Sequence, residues 1–320
     1  MTGEVIEGMR KTRTRRHARR WLWAAMMSVV SPTLALAHHT PGHGIAWIGP
    51  ATVAEAEVGA ASFDLGDRSG SWFATTTALE YAPDPRFSFL ARIPVAWVDY
   101  DSGESASGLA DIELGGKAKL MALRENRFLL WGGASLELPT GNEVQGLGGG
   151  HVELSPHLMA SAEPTHGFML HSVASDHVSL PGGDDAETAT RALRGSLAGP
   201  GLHLHEGHDH GETAVHGSVL APHTDHELSL MLVAVYARGR GYVSAGTEYT
   251  HPWGESAGGD PWIGRAELGY ALPAHLVLSA GYDAPLAGEE RFENRGRLSL
   301  AWQLGHAADA DRCDPTCICH

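Results

Sequence analysis

Between residues 51 and 304 the chain is a succession of short segments in which apolar and polar residues alternate, and this two-residue period limits the fold more than any other feature. A strand shows successive side chains to opposite faces, so segments of this kind build sheets. Twelve can be placed, at about 51–63, 71–82, 86–98, 108–123, 127–138, 147–160, 166–175, 226–238, 241–251, 262–272, 275–284 and 292–304. The run GLADIELGGKAKLMA puts Ile112, Leu114, Gly116, Ala118 and Leu120 on one face and Asp111, Glu113, Gly115, Lys117 and Lys119 on the other. Segment 262–272 divides Trp262, Ala266, Leu268 and Tyr270 from Arg265 and Glu267. In 86–98, Phe87, Phe89, Ile93, Val95 and Trp97 oppose Ser88 and Arg92, and Pro94 weakens the hydrogen bonding of the interior.

The connections carry a second regularity. APDPR, RENR, AEPTH, ARGRG and LPAH are short, whereas the alternate connections are mostly longer and polar, the longest spanning 176–226. Short turns at one end and long loops at the other describe an all-β fold, an antiparallel transmembrane β-barrel with an even number of strands. Twelve strands about 4.8 Å apart and tilted roughly 40° give a circumference of about 75 Å and a backbone diameter of about 24 Å. Trp72, Tyr81, Phe87, Trp97, Phe128, Tyr236, Tyr242, Tyr249, Trp262 and Tyr282 stand near strand ends, where interfacial aromatic girdles are expected. A soluble sandwich would instead have to hide every apolar face in a core.

The N-terminus points to export. Arg13, Arg15, Arg16, Arg19 and Arg20 precede the apolar run WLWAAMMSVV, and SPTLALA ends in Ala35-Leu36-Ala37, so residues 1–37 read as a signal peptide cut before His38. Pro32 and the shortness of the run argue against a permanent anchor. This segment holds 7 basic and 2 acidic residues of the chain's 23 and 38, which leaves the remainder at a formal charge of -20 and excludes a nonspecific nucleic-acid binder. The organisation expected is a periplasmic segment at 38–50, a barrel at 51–304 and a tail at 305–320. The expected location is the outer membrane of a Gram-negative bacterium. Partners would be outer-membrane lipid and lipopolysaccharide, the assembly machinery of that membrane and a small-molecule solute; the oligomeric state stays open.

GLADIELGGKAKLMA at 108–122, RFLLWGGASLELPTGN at 127–142 and GYALPAHLVLSAGYDAPL further on resemble the Gram-negative outer-membrane barrels grouped with the meta-pathway phenol-degradation transport proteins. Proteins of that type commonly carry a Gly-x-Gly-Asp strand and then a strand ending Leu-Pro-Thr-Gly. Here Ala110 replaces the second glycine of Gly108-Leu109-Ala110-Asp111, while Leu138-Pro139-Thr140-Gly141 matches. The resemblance covers most of 50–304 and implies an outer-membrane channel or transporter for small, hydrophobic or aromatic compounds. Its motifs mark architecture and bring no catalytic residues.

Four groups of residues are candidates for chemistry. Under the parity above, Glu55, Glu57, Asp111, Glu113, Lys117, Lys119, Glu137, Glu153, Glu248, Arg265, Glu267 and Asp283 face the lumen and either line a passage or form an ion-paired plug. The loop sequence GLHLHEGHDHGETAVHG and the following APHTDHE supply His203, His205, His208, His210, His216, His223 and His226, interspersed with carboxylates. Imidazoles and carboxylates at this density suit Zn, Cu, Ni or Co, with the identity open, and the competing reading is a solvated polar loop. The spacing in His205-Glu206-Gly207-His208 does not fit a helical zinc-protease site. His38, His39 and His43 make a separate, weaker contact set at the opposite end of the barrel. The tail offers Cys313, Cys317, Cys319 and His320, either as a tetrahedral metal set or as one disulfide with a free thiol. No cofactor is required, and neither a nucleophile–base pair nor a phosphate loop is evident. Metal binding or metal resistance without transport is the alternative function.

Overall fold

The computed structural model describes residues 52–66, 68–124, 127–180, 218–220, 226–253, 260–288 and 291–304. These form thirteen strands and one short 3-10 helix. The strands are β1 (Val53–Asp64), β2 (Ser69–Asp84), β3 (Phe87–Tyr100), β4 (Ser105–Leu109), β5 (Ile112–Leu123), β6 (Phe128–Leu138), β7 (Val152–Thr165), β8 (Phe168–Leu180), β9 (His226–Arg238), β10 (Gly241–Pro252), β11 (Trp262–Leu272), β12 (Leu276–Ala287) and β13 (Asn294–Gln303). Sequence neighbours pair antiparallel, except that β4 and β5 both pair with β3 and not with each other, and β13 returns to β1 from Val53↔Gln303 to Ser62↔Asn294. The sheet is thus closed. β4 and β5 lie end to end along β3, so the barrel has twelve staves, as the pattern requires. Closure gives every stave a partner on both sides except along β4, which pairs with β3 alone, and paired backbone groups are the condition for strands to cross a bilayer.

The break between β4 and β5 has a local cause. Residues 108–123 were expected as one strand, but Val95 pairs with Leu109 and Arg92 with Glu113, leaving Ile93 and Pro94 opposite the interruption. Pro94 has no N–H to give to a neighbour. Its carbonyl still accepts from the Ala110 N–H at 3.0 Å. The Thr140 hydroxyl bridges the gap, donating to the Ala110 carbonyl at 2.8 Å and accepting from the Ile112 N–H at 3.0 Å. A second difference concerns the turn expected at AEPTH: β7 runs on through Pro164 to Thr165, and the turn is His166-Gly167. A ladder irregularity between Ala162 and Thr165 absorbs the proline.

Outward-facing residues form an apolar belt. Leu79, Phe89, Leu120, Leu232, Leu268 and Trp302 are each about half exposed or more, and a surface of this kind is suited to lipid. Six of the ten aromatics assigned to the girdles, Tyr81, Phe87, Trp97, Tyr236, Trp262 and Tyr282, do lie in this exposed set. Trp72 and Tyr242 do not: both point inward and are buried. Among the described residues no helix is long and apolar enough to cross a membrane.

Candidate functional site

Because inward side chains recur at every second residue, each stave delivers several to the lumen, and their order along the barrel falls into three zones. At the short-turn end, Trp131, Met159, Met231, Val233, Val235 and Tyr242 pack into an apolar cluster. At the long-loop end, Phe63, Trp72 and Val98 from the strands meet Leu147, Val219, Leu220 and Phe292 from the loops. A charged band lies between the two clusters. Most of its members are nearly sealed from water, with Glu153 at 2%, Glu267 at 2% and Asp283 at 0% exposure. The lumen is therefore filled over most of its height.

The charged band is held together by pairing, which offsets the cost of burying each ion. Arg92 stands between Glu57, at 3.9 Å, and Glu113, at 3.6 Å. Lys117 meets Glu80 at 3.0 Å. Arg265 pairs with Glu248, which also accepts from the Ser229 hydroxyl at 2.8 Å. Asp283 accepts from Arg295 at 2.8 Å and lies 3.5 Å from Arg297, whose guanidinium is 3.6 Å from Glu267. Tyr242 donates its hydroxyl to Glu267. On the β12–β13 loop, Arg291 reaches in to make two bonds to Glu227, at 2.9 and 2.6 Å. Lys119 takes a different partner, with its ammonium 5.2 Å from the centre of the Trp131 ring.

Cross-strand register sets three glutamates side by side. Glu113 lies opposite Glu137, and Glu137 opposite Glu153. Like charges placed directly opposite repel. The two outer members are relieved, Glu113 by Arg92 and Glu153 by a hydroxyl bond from Ser155 at 2.9 Å. Glu137, the middle one, is the most weakly compensated carboxylate of this row.

His177 joins β7 to β8 beside this row. Its Nδ1 lies 2.7 Å from the Ser155 hydroxyl and 3.1 Å from Glu153, and its Nε2 lies 2.8 Å from the Ser175 hydroxyl. The order hydroxyl, imidazole, carboxylate matches that of an acyl-transfer relay. The setting argues for a structural role, since all four side chains are buried and Ser155 also engages the carboxylate side of the ring. Pro156 supplies the reason for the network. It interrupts the β7–β8 register between Leu154 and His157, and the side-chain bonds fasten the staves where ladder bonds are missing.

Of the residues expected in the lumen, Glu55, Lys117, Glu153, Glu248, Arg265, Glu267 and Asp283 are buried and Glu57, Glu113, Lys119 and Glu137 half-buried, while the buried Asp111 is taken up by a loop. Its carboxylate accepts the Gly141 N–H at 2.7 Å and the Gly149 N–H at 2.6 Å, stapling the 139–151 loop across the mouth. The Gly-Leu-Ala-Asp and Leu-Pro-Thr-Gly motifs therefore meet in space: Thr140 bridges the β4–β5 break while Asp111 holds the loop that follows. At the rim, His226 is the first residue of β9, bonds to Asp176 at 2.9 Å and packs against Trp253. Asp176 to Leu180 belong to β8, so the long connection is 181–225. His203, His205, His208, His210, His216 and His223 lie outside the described residues, as do Cys313, Cys317, Cys319, His320 and the segments 1–37 and 38–50. Residues 218–220 are the loop feature that sequence reasoning missed; the only signal was an apolar Val-Leu pair within a polar, His-rich stretch.

The architecture has solved counterparts. An outer-membrane channel from Pseudomonas putida F1 superposes with a TM-score of 0.58 at 15% identity, over 83% of this chain and 99% of that one. The fold is that of an outer-membrane barrel. The NanC porin gives 0.49 at 8% identity over 78% of this chain and 100% of its own, and the KdgM porin 0.45 at 9% over 79% and 99%. No protein-family model matches the chain, and no curated protein sequence does. At these identities the likeness speaks for the fold, and the resemblance to the phenol meta-pathway proteins rests on the motifs alone.

Proposed function

We propose that this chain is a non-catalytic outer-membrane channel for small molecules in a Gram-negative envelope, inserted after removal of residues 1–37. The observation that carries this reading is the division of faces on one closed barrel: an apolar belt outside and an ion-paired polar band inside. A barrel serving only as an anchor has no need of ten inward carboxylates and seven inward cations; among the described residues the band comprises Glu55, Glu57, Glu80, Glu113, Glu137, Glu153, Glu227, Glu248, Glu267 and Asp283 with Arg92, Lys117, Lys119, Arg265, Arg291, Arg295 and Arg297. Because the lumen is filled, passage requires side chains or loops to move. The apolar zones at both ends of the charged band favour solutes with an apolar or aromatic body over large hydrophilic ones.

Liposome swelling and planar-bilayer conductance with the purified, heat-modifiable protein test this reading. Slow flux of small solutes above that of empty liposomes is expected. Correctly folded protein that conducts no ions and passes no solute would leave a binding role ahead. For that role the sequence itself supplies the support, the His-rich stretch from His203 to His226. If these imidazoles capture Zn or Cu, titration calorimetry will show binding that is lost below the imidazole pKa and weakened by joint replacement of His203, His205, His208 and His210 with alanine. Equal affinity in both proteins would remove the metal reading.

A further inference from the structure

Of the lumen cations named above, Arg92, Lys117, Arg265, Arg291, Arg295 and Arg297 each meet a carboxylate. Lys119, the next inward position after Lys117 on β5, meets none among the described residues. Its ammonium carries three N–H donors, and the partner it has is the face of Trp131, 5.2 Å away at the ring centre. A ring face attracts the charge but offers no lone pair. The donors of this half-buried ammonium are left for another acceptor.

Trp131 repeats the pattern where water does not reach. It is 0% exposed, yet its indole N–H has no acceptor among the described residues. Burying a donor in this way is costly, and such groups are rare in folded proteins. A phenylalanine would fill an apolar place without leaving a donor unmatched, so the indole N–H calls for an acceptor that its neighbours in the barrel do not supply.

Register brings the two donors together. Lys119 lies opposite Trp131 and Trp131 opposite Met159, and the same row continues through Val173 to Met231. The indole N–H belongs to the ring over which the ammonium stands, so one carboxylate accepting at about 2.9 Å from each can reach both. The surroundings are the apolar cluster that includes Met159, Met231, Val233 and Val235, and unbranched methionines adapt to the shape of what they touch. The acids of the chain are engaged or distant. Glu80 is held by Lys117 and Glu248 by Arg265, while Glu137 stands about 20 Å from Trp131 along β6.

We infer that Lys119 and Trp131 form a binding station for a small monocarboxylate with an apolar body. The carboxylate accepts from the Lys119 ammonium and the Trp131 N–H, and the body lies against Met159 and Met231. The station rests on the channel reading for its purpose, and it narrows the solute class of that reading to organic acids.

Binding, not flux, is the test. Equilibrium dialysis of the folded protein in detergent at neutral pH compares benzoate with benzamide, its uncharged counterpart of nearly the same shape. Benzoate should bind at least about tenfold more tightly, the margin that hydrogen bonds to a charged group confer. Lys119→Met should abolish this preference, and Trp131→Phe, which keeps a ring and removes the N–H, should reduce it. Equal binding of the two compounds, no binding of benzoate, or a preference that survives Lys119→Met overturns the assignment. The comparison of compounds on the unsubstituted chain needs no variant to fold. A chain that binds benzoate and passes no solute keeps the station and loses the channel; one that passes solutes without preferring benzoate keeps the channel and loses the station.

Discussion

The two ends of the lumen are closed by the same chemistry and built in different ways. At the short-turn end every member of the apolar cluster comes from a strand. Trp131, Met231, Val233 and Val235 occupy places fixed by ladder bonds on both sides, so none can leave without opening the wall. At the long-loop end Leu147, Val219, Leu220 and Phe292 belong to connections and stand outside the strand ladders. Apolar packing is nondirectional and would serve either end equally. The difference in backbone tethering therefore makes one end a fixed constriction and the other a place where rearrangement is inexpensive.

The largest effect should come from breaking the fixed end. Trp131 is 0% exposed and central to its cluster, and replacement by alanine removes most of its volume from a site whose backbone cannot collapse around the gap. A loss of about 3–5 kcal/mol is expected, read as a lower urea midpoint for unfolding from lipid. A midpoint unchanged from that of the unsubstituted chain would show that the short-turn cluster does not hold the wall together.

An intermediate effect is expected at the mouth. Asp111→Ala removes the acceptor for two loop N–H groups, and hydrogen bonds to a charged group are worth about 1.5–3 kcal/mol. The loss should be local. Protease cleavage within 139–151 and exchange at Gly141 and Gly149 should both quicken, while the global unfolding midpoint shifts less than for Trp131→Ala. A global shift equal to that of Trp131→Ala would mean that the mouth is as integral to the wall as the short-turn end.

Much of this contrast was written in the sequence, and some could not be. The twelve staves were legible because alternation repeats twelve times, and an error in one segment does not disturb the next. The charged band followed from the same parity, since Glu113, Glu137, Glu153, Glu267 and Asp283 all sit on inward positions. Trp72 and Tyr242 were misplaced because an aromatic suits either a lipid interface or a core. Only strict parity separates them: Phe73 and Val243, their neighbours, are the outward ones. The β4–β5 break was hidden because its cause, Pro94, acts across the sheet on a strand whose register the sequence does not print. Asp111 was correctly turned inward, but its partners Gly141 and Gly149 lie 30 and 38 residues away, and no local pattern announces such a pair. The paired arrangement of the arginines was illegible for the same reason.

The smallest effect sharpens the account of the short-turn end. Lys119 is the lumen cation described above by a ring contact, its ammonium 5.2 Å from the centre of Trp131, itself the keystone of the fixed constriction. A cation over an aromatic face in a partly exposed setting contributes about 0.5–1 kcal/mol. Lys119→Met keeps the length of the side chain and its apolar contact while removing the charge, so the unfolding midpoint should fall slightly in the wild-type background. In the Trp131→Ala background the ring is gone, and the same substitution should cost nothing or stabilise. The double-mutant cycle isolates the pair, provided that neither single change rearranges the wall. Full additivity, with Lys119→Met costing the same whether or not Trp131 is present, would show that the lysine stabilises the barrel through the field of the neighbouring carboxylates and not through the ring.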